Sequence, residues 1–232
     1  MADNLKNMQQ FLIIFFQQTN LLLLKRKNFI NNSLFFLSFF IIFVLIISPL
    51  QNAIGEELSS EAKYQSLITC ASIFALLFSL LASSFEFLQE DFQDGTLEQI
   101  LIKCRNFEIY FFAKMLANWL GNCFFNVILA VFLSWLLGLS WQFLNNFLIL
   151  FLLASLLINF ICCFGASLAI LQGSIALIAF IVLPLILPIV IFSCLAILDN
   201  FAQYLKILLG LNIFLIPLLT FSSGILTKIA LD

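Results

Sequence analysis

The sequence predicts an all-α, polytopic membrane protein with six transmembrane helices. Hydrophobic residues make up 63% of the 232 positions and charged residues only 9%, a composition typical of integral membrane proteins. A helix needs roughly 20 apolar residues to cross a bilayer. The uncharged stretch 115–198 is long enough for three such helices, and further uncharged runs occupy residues 28–55, 64–85 and 207–227.

Turn-forming residues divide the longest apolar stretch. Gly138-Leu139-Ser140 and Gln172-Gly173-Ser174 supply the conformations and polar groups that suit a membrane interface. We therefore predict one transmembrane domain over residues 1–232. Its six spans are predicted at residues 29–50, 65–88, 109–137, 147–171, 175–198 and 206–227.

The segment before the first span has a different pattern. Over residues 5–24, apolar side chains such as Leu5, Met8, Leu12 and Phe15 recur at close to helical spacing, with amide and lysine side chains between them. This pattern predicts an interfacial helix that lies along the membrane. The alternative is a poorly formed additional span.

Basic residues predict the orientation of the spans, because cytoplasmic loops are enriched in Lys and Arg. With six spans, only Lys63 and Lys206 fall on one side of the membrane. The other basic residues fall on the opposite side: Lys6, Lys25, Arg26, Lys27, Lys103, Arg105, Lys114 and Lys228. Both chain termini are therefore predicted to be cytoplasmic.

Several kinds of chemistry have no sequence support. The chain has no His, no C-x-x-C and no G-x-x-x-x-G-K-[ST], so we predict no metal site and no nucleotide site of its own. The 6 Cys residues are predicted to be free thiols in apolar surroundings. A net charge of −2 gives no basic face for nucleic acid. A membrane subunit, not an enzyme, is expected.

One segment concentrates the charge. Of the 12 acidic residues, six lie between Glu86 and Glu108. Ionised carboxylates are costly in hydrocarbon, so this segment is expected to face water or a protein. A cytoplasmic segment is predicted over residues 89–106, and its acidic rim and apolar helix face suit docking to a partner. The alternative is a solvated loop.

Local signals give this segment a predicted structure. Asp94-Gly95 is a turn signal, and Thr96 and Gln99 have the spacing of a capping box. In that arrangement the Thr96 hydroxyl accepts from the Gln99 N–H at the start of a short helix near 96–104.

These same residues resemble a known family. The stretch from Glu90 to Gln99 (EDFQDGTLEQ) resembles the D-x-x-D-G-[ST]-L-E segment of the CcmB family of cytochrome c biogenesis permeases, also called haem exporter protein B. Residues 113–119 (AKMLANW) and 182–192 (VLPLILPIVIF) agree with the same family in order and spacing.

The resemblance implies a permease similar to type II ABC exporters, which pairs with a separate CcmA ATPase. The interfacial helix would then be an elbow helix, and the acidic segment would be the coupling helix. The resemblance also implies association with CcmC, CcmD and the haem chaperone CcmE. The residues expected to dock on the ATPase are Glu90, Asp91, Asp94, Gly95, Thr96, Leu97 and Glu98.

The role of haem is left open by the sequence. The chain is expected either to move haem across the membrane or to transmit ATP-driven motion that releases haem-loaded CcmE. A non-transporting helical scaffold is the alternative function. Haem is expected as the group transported or delivered, with no bound cofactor predicted. A bacterial inner membrane is the expected location, with the mitochondrial inner membrane as the alternative.

Residues inside the spans carry further predictions. Pro184 and Pro188 lie on one helix face and are predicted to form a hinge, with a static kink as the alternative. Glu86 and Lys114 are predicted either to pair or to extend separately to the interface. Interhelical hydrogen bonds are predicted for Asn118, Asn122, Asn126 and Asn159.

Overall fold

The structure, a computed structural model, describes residues 13–19, 26–53, 61–84, 86–103, 107–172 and 175–231. Throughout these ranges the regular structure is helical. Six helices are long and apolar enough to cross a membrane, which confirms the predicted fold class.

The helices are labelled in chain order. They are α1 (residues 13–19), α2 (Arg26–Ala53), α3 (Glu61–Ser84), α4 (Glu86–Gln93), α5 (Thr96–Lys103), α6 (Phe107–Leu136), α7 (Trp141–Gln172), α8 (Ile175–Leu198) and α9 (Phe201–Leu231). A π-helical turn, Trp119–Cys123, interrupts α6. The membrane-crossing helices are α2, α3, α6, α7, α8 and α9.

The fourth membrane-crossing helix, α7, is the centre of the bundle. It packs against α3, α6, α8 and α9, and about two thirds of its membrane-crossing stretch is buried. Phe147 and Phe151 of α7 stack with their centroids 5.3 Å apart, and Phe36 of α2 reaches Phe151 at 6.4 Å. Because lipid is as apolar as these side chains, such close packing is what orders the helices.

The observed helix boundaries differ from the predicted spans most at the start of α7. α7 begins at Trp141 instead of near residue 147, because the turn is confined to residues 137–140. Gly138 has a φ of 78°, and the Ser140 carbonyl accepts from the Leu144 N–H at 3.1 Å, which starts the helix. A left-handed glycine ends α6 at low cost in strain.

Other helices present apolar side chains at the outer surface of the bundle. Phe180 of α8 is 80% exposed and Phe214 of α9 is 67% exposed. Together with the apolar outer face of α2, they form a surface suited to lipid. Of the predicted interfacial helix over residues 5–24, the structure describes only residues 13–19, which are helical, and the remainder lies outside the described residues.

The prolines predicted as a hinge lie on this outer surface. Pro184 and Pro188 are both exposed, and α8 continues as a helix through them. Each proline removes a backbone donor on the face turned away from the bundle. A third proline, Pro217, lies inside α9. Bending at Pro184 and Pro188 stays a prediction.

Candidate docking segment and buried polar network

The acidic segment, defined here as residues 86–103, is a helical hairpin. It consists of α4, a turn at Asp94 and Gly95, and α5. Gly95 has a φ of 68°, and its N–H donates to the Phe92 carbonyl at 3.3 Å. A single left-handed glycine thus forms the turn between two helices of eight residues each.

Thr96 stabilises the hairpin differently from the predicted capping box. Its hydroxyl donates to the Asp91 carbonyl at 2.9 Å, across the turn. The Gln99 N–H donates instead to the Gly95 carbonyl at 3.4 Å. Gly95 therefore occupies the position before the helix whose carbonyl accepts the first helical bond, and Thr96 ties α5 back to α4.

Gly95→Ala is expected to destabilise the protein by about 1 kcal/mol, because an L-residue is strained in the left-handed region. No heavy atom lies within 4 Å of the Cβ that would be added, so the backbone conformation alone is tested. Thermal unfolding of the detergent-solubilised protein measures the effect. Gly210→Ala is the matched control, since Gly210 lies inside α9 with equally open space. Equal stability of the two variants would contradict the prediction.

A partly buried ion pair fixes the hairpin to the third membrane-crossing helix. The Asp91 carboxylate pairs with the Lys114 ammonium of α6, and the Tyr110 hydroxyl donates to the same oxygen at 3.1 Å. The Lys114 side chain is 6% exposed and that of Asp91 29%. The sequence-based hypothesis paired Lys114 with Glu86. The side chain of Glu86 lies outside the described residues, and Asp91 is a carboxylate that does contact Lys114.

The predicted docking residues therefore divide into two groups. Asp91 turns toward α6, and Leu97 is 0% exposed in the apolar core, so both act within the chain. Asp94 and Glu98 are exposed at the surface. The side chain of Glu90 lies outside the described residues.

Two exposed apolar residues in the segment were not predicted as docking residues. Ile102 is 83% exposed and Phe92 is 38% exposed. Ile102 lies one turn after Glu98 on the same face of α5, opposite the buried Leu97. Helical spacing from Glu98 is the signal that could have identified it. We call Phe92, Asp94, Glu98 and Ile102 the outer face of the acidic segment.

The end of α9 also reaches this side of the bundle. The Lys228 ammonium lies 3.1 Å from the Glu108 carboxylate at the start of α6. It also lies 5.8 Å from the centroid of the Phe107 ring. Gly224 of α9 also lies next to Glu108, since a Cβ added there would be 3.5 Å from the Glu108 Cγ, an ordinary contact distance. The start of α6 is thus held by the acidic segment and by α9.

After the ion pair, in the direction of the chain, α6 carries polar residues at four-residue spacing, which we call the polar ladder. After Lys114 come Asn118, Asn122 and Asn126. The Asn122 amide donates to the Asn118 side-chain oxygen at 2.8 Å, and Asn118 donates to the Asn159 side-chain oxygen of α7 at 2.8 Å. The Asn118–Asn159 bond confirms that asparagines link α6 to α7, whereas the Asn122 side chain bonds within α6.

The ladder continues into the first two membrane-crossing helices. Asn32 of α2 donates to the Asn122 backbone carbonyl at 3.2 Å. The Ser79 hydroxyl of α3 donates to the Asn32 carbonyl at 2.7 Å and also contacts its side-chain oxygen. Four helices are therefore joined through buried polar groups, as is common where lipid cannot satisfy them. No sequence pattern identifies Asn32 and Ser79 as members of this network.

The π-helical turn lies at the centre of this network. The Phe124 N–H donates to the Trp119 carbonyl, five residues back, and the wider turn brings the Asn122 carbonyl to Asn32. The Trp119 indole donates to Ser155 of α7 at 3.1 Å. A π turn inside a helix commonly marks a functional position and a place where the helix bends.

Asn126 differs from the other asparagines. It is 0% exposed, and neither polar atom of its side chain has a hydrogen-bond partner among the described residues. The prediction that Asn126 bonds between helices is therefore wrong for this structure. The π turn separates it from the Asn118–Asn122 part of the ladder.

The described residues contain no group of His, Cys, Asp and Glu side chains that could hold a metal ion. The described cysteines are free thiols, at Cys70, Cys123, Cys162, Cys163 and Cys194. The polar groups of the network are amides, hydroxyls and one ion pair, which suit structural linkage between helices.

The fold and these contacts define a class, a polytopic α-helical membrane protein with a helical hairpin anchored on its third membrane-crossing helix. The CcmB protein family model matches residues 9–230, and the chain belongs to that family. It is 27% identical over 151 residues to heme exporter protein B of Pseudomonas aeruginosa, covering 64% of this chain and 66% of that protein.

A second relative is an uncharacterized protein of Rickettsia conorii. It is 29% identical over 163 residues, which covers 68% of this chain and 73% of the relative. The chain therefore spans about two thirds to three quarters of the length of these relatives.

Proposed function

We propose that this chain is the permease subunit of an ABC-type complex for cytochrome c maturation. It couples ATP hydrolysis by a separate CcmA-like subunit to haem export or to the release of haem-loaded CcmE. Membership of the CcmB family and the name of the Pseudomonas relative support the class of process. The observation that carries the coupling role is the anchored helical hairpin with its exposed outer face.

The outer face has the composition of a docking surface. Glu98 and Ile102 lie one turn apart on α5, and Asp94 and Phe92 are also exposed in the same segment. Ile102 lies outside the candidate spans and is 83% exposed. A partner that covers it removes apolar surface from water, which favours binding. Carboxylates around it favour a basic groove and accelerate encounter. A cleft with an apolar floor and basic rim on the ATPase fits this face.

The anchor makes the hairpin able to transmit force. A load on α5 passes through Thr96 to α4, and then through Asp91 to Lys114 on α6. From Lys114 the ladder continues through Asn118 to Asn159 on α7. Motion of the docked ATPase would thus reach the centre of the bundle through hydrogen bonds and an ion pair.

The proposed location is a bacterial inner membrane, with both termini and the acidic segment cytoplasmic. The excess of basic residues on that side supports this orientation. The mitochondrial inner membrane is the alternative. Further proposed partners are CcmC, CcmD and CcmE-like proteins, with haem as the transported or delivered group and no catalysis by this chain itself.

Glu98→Lys combined with Asp94→Lys is expected to weaken CcmA binding at least tenfold, because two carboxylates facing a basic groove become repulsive. Co-purification with the ATPase and ATP-dependent cytochrome c maturation are the measurements. Glu61→Lys, at the opposite end of α3, is the matched control and should leave both unchanged. Normal ATPase recruitment and normal cytochrome c maturation in the double variant would contradict the proposal.

A scaffold that holds the haem-delivery proteins together without moving is the second candidate. It predicts that a CcmA unable to hydrolyse ATP still supports release of haem-loaded CcmE. The coupling proposal predicts that release stops although the complex assembles.

A further inference from the structure

Two cysteines lie on adjacent helices at the end of the bundle opposite the acidic segment. Cys70 lies in the first half of α3, and Cys194 lies in the last turns of α8. The Cys194 thiol donates to the Ser66 carbonyl at 3.9 Å, and the Ser66 hydroxyl donates to the Cys194 carbonyl at 3.4 Å. These reciprocal bonds fix the register of α3 against α8.

Cys70 follows Ser66 by one helical turn, so it lies on the same face of α3. Because the Cys194 thiol lies against the Ser66 carbonyl, it sits beside this face of α3, one helical turn from Cys70. Both side chains are partly exposed, whereas Cys123, Cys162 and Cys163 are 0–1% exposed in the core. The pair therefore combines proximity with access.

We propose that Cys70 and Cys194 form a redox-active pair, which an oxidant carrying a reactive disulfide converts into a disulfide between α3 and α8. In the first step, one thiol loses its proton and its thiolate attacks the oxidant, releasing one thiol of the oxidant. In the second step, the other thiol attacks this mixed disulfide, the second oxidant thiol leaves, and the Cys70–Cys194 bond forms. Two electrons pass from the pair to the oxidant.

Under the proposed orientation, this end of the bundle faces the non-cytoplasmic side, where protein disulfides form and persist. The link would join the outer part of α3 to α8. Since α3 ends at Ser84, just before the acidic segment begins at Glu86, a disulfide there restrains the helix that leads into the docking hairpin.

The test uses 4,4′-dithiodipyridine, a small membrane-permeant disulfide, on the full chain in membranes. Peptide mapping by mass spectrometry is expected to find Cys70 linked to Cys194, with Cys162 and Cys163 unmodified. In Cys70→Ser and in Cys194→Ser, the remaining cysteine is expected to carry a thiopyridyl adduct. In wild type the link should raise the temperature of thermal unfolding, and dithiothreitol should abolish that rise.

Two results would overturn the proposal. One is wild-type protein with separate adducts on Cys70 and Cys194 and no link, which means that the thiols do not meet. The other is the absence of any reaction at either cysteine, which means that no oxidant reaches them. Because the readout is a covalent bond, neither result depends on haem transport, on ATPase coupling or on the orientation.

Discussion

Asp91→Asn is expected to lower the free energy of unfolding by about 2 kcal/mol, because it removes the charge that pairs with buried Lys114. The partial exposure of Asp91 places the effect below that of a fully buried pair. The thermal unfolding midpoint of the solubilised protein should fall accordingly. Cytochrome c maturation should fall as well, because the hairpin would no longer be fixed to α6.

Asp94→Asn is the control for this prediction. It makes the same chemical change in the same hairpin, but at an exposed position, and should alter stability by less than about 0.5 kcal/mol. A cycle with Asp91→Asn, Lys114→Met and the double variant should give a coupling energy of about 1–2 kcal/mol. Additive effects would show that the pair does not anchor the hairpin.

The functional readout separates anchoring from docking. Asp91→Asn leaves Glu98 and Ile102 on the outer face, so the ATPase should still co-purify while ATP-dependent maturation declines. The charge-reversed outer face should lose both. Loss of ATPase binding in Asp91→Asn would mean that Asp91 itself contacts the partner.

Asn159→Leu is expected to destabilise the bundle by about 1–2 kcal/mol, because Asn159 of α7 makes two short hydrogen bonds to α6, besides a longer one from the Cys123 thiol at 3.9 Å. It accepts from Asn118 at 2.8 Å and donates to the Met115 carbonyl at 3.0 Å. Hydrogen bonds between membrane helices contribute roughly 0.6 kcal/mol on average and up to about 1.7 kcal/mol. Losing both bonds also leaves the Asn118 amide without this acceptor.

Asn126→Leu provides the matched comparison for Asn159→Leu. Both asparagines are 0% exposed, but Asn126 has no partner among the described residues. Removing an unpaired buried amide is expected to be neutral or stabilising. Steric-trap or thermal unfolding of the two variants side by side measures the difference. A larger loss for Asn126→Leu than for Asn159→Leu would contradict the proposed network.

The position and turn of the acidic segment could be predicted because they depend on local chemistry. Clustered carboxylates must leave lipid, and Asp94-Gly95 favours a reversal wherever it occurs. The direction of each side chain could not be predicted in the same way. Asp91 and Asp94 are equivalent by charge, yet only the packing of α4 against α6 and α7 decides which one faces Lys114.

The polar network shows the same division between local and tertiary information. The four-residue spacing of Lys114, Asn118, Asn122 and Asn126 is readable along α6, and it predicts one shared face. The π turn rotates the residues that follow it relative to those before it, so Asn126 does not join the hydrogen bonds made by Asn118 and Asn122. Contacts with Asn32 and Ser79 join positions far apart in the chain, and nothing local specifies them.

By itself, the sequence determined that this protein is a six-helix membrane protein and predicted that an acidic segment between the second and third spans stays outside the lipid, because hydrophobicity and charge decide which segments enter lipid. Only the tertiary structure decided which carboxylate anchors the hairpin, which apolar residues stay exposed on it, and which cysteines lie on neighbouring faces of α3 and α8. These outcomes depend on how helices distant in the chain pack together, and in a uniformly apolar chain hydrophobicity alone does not select those contacts.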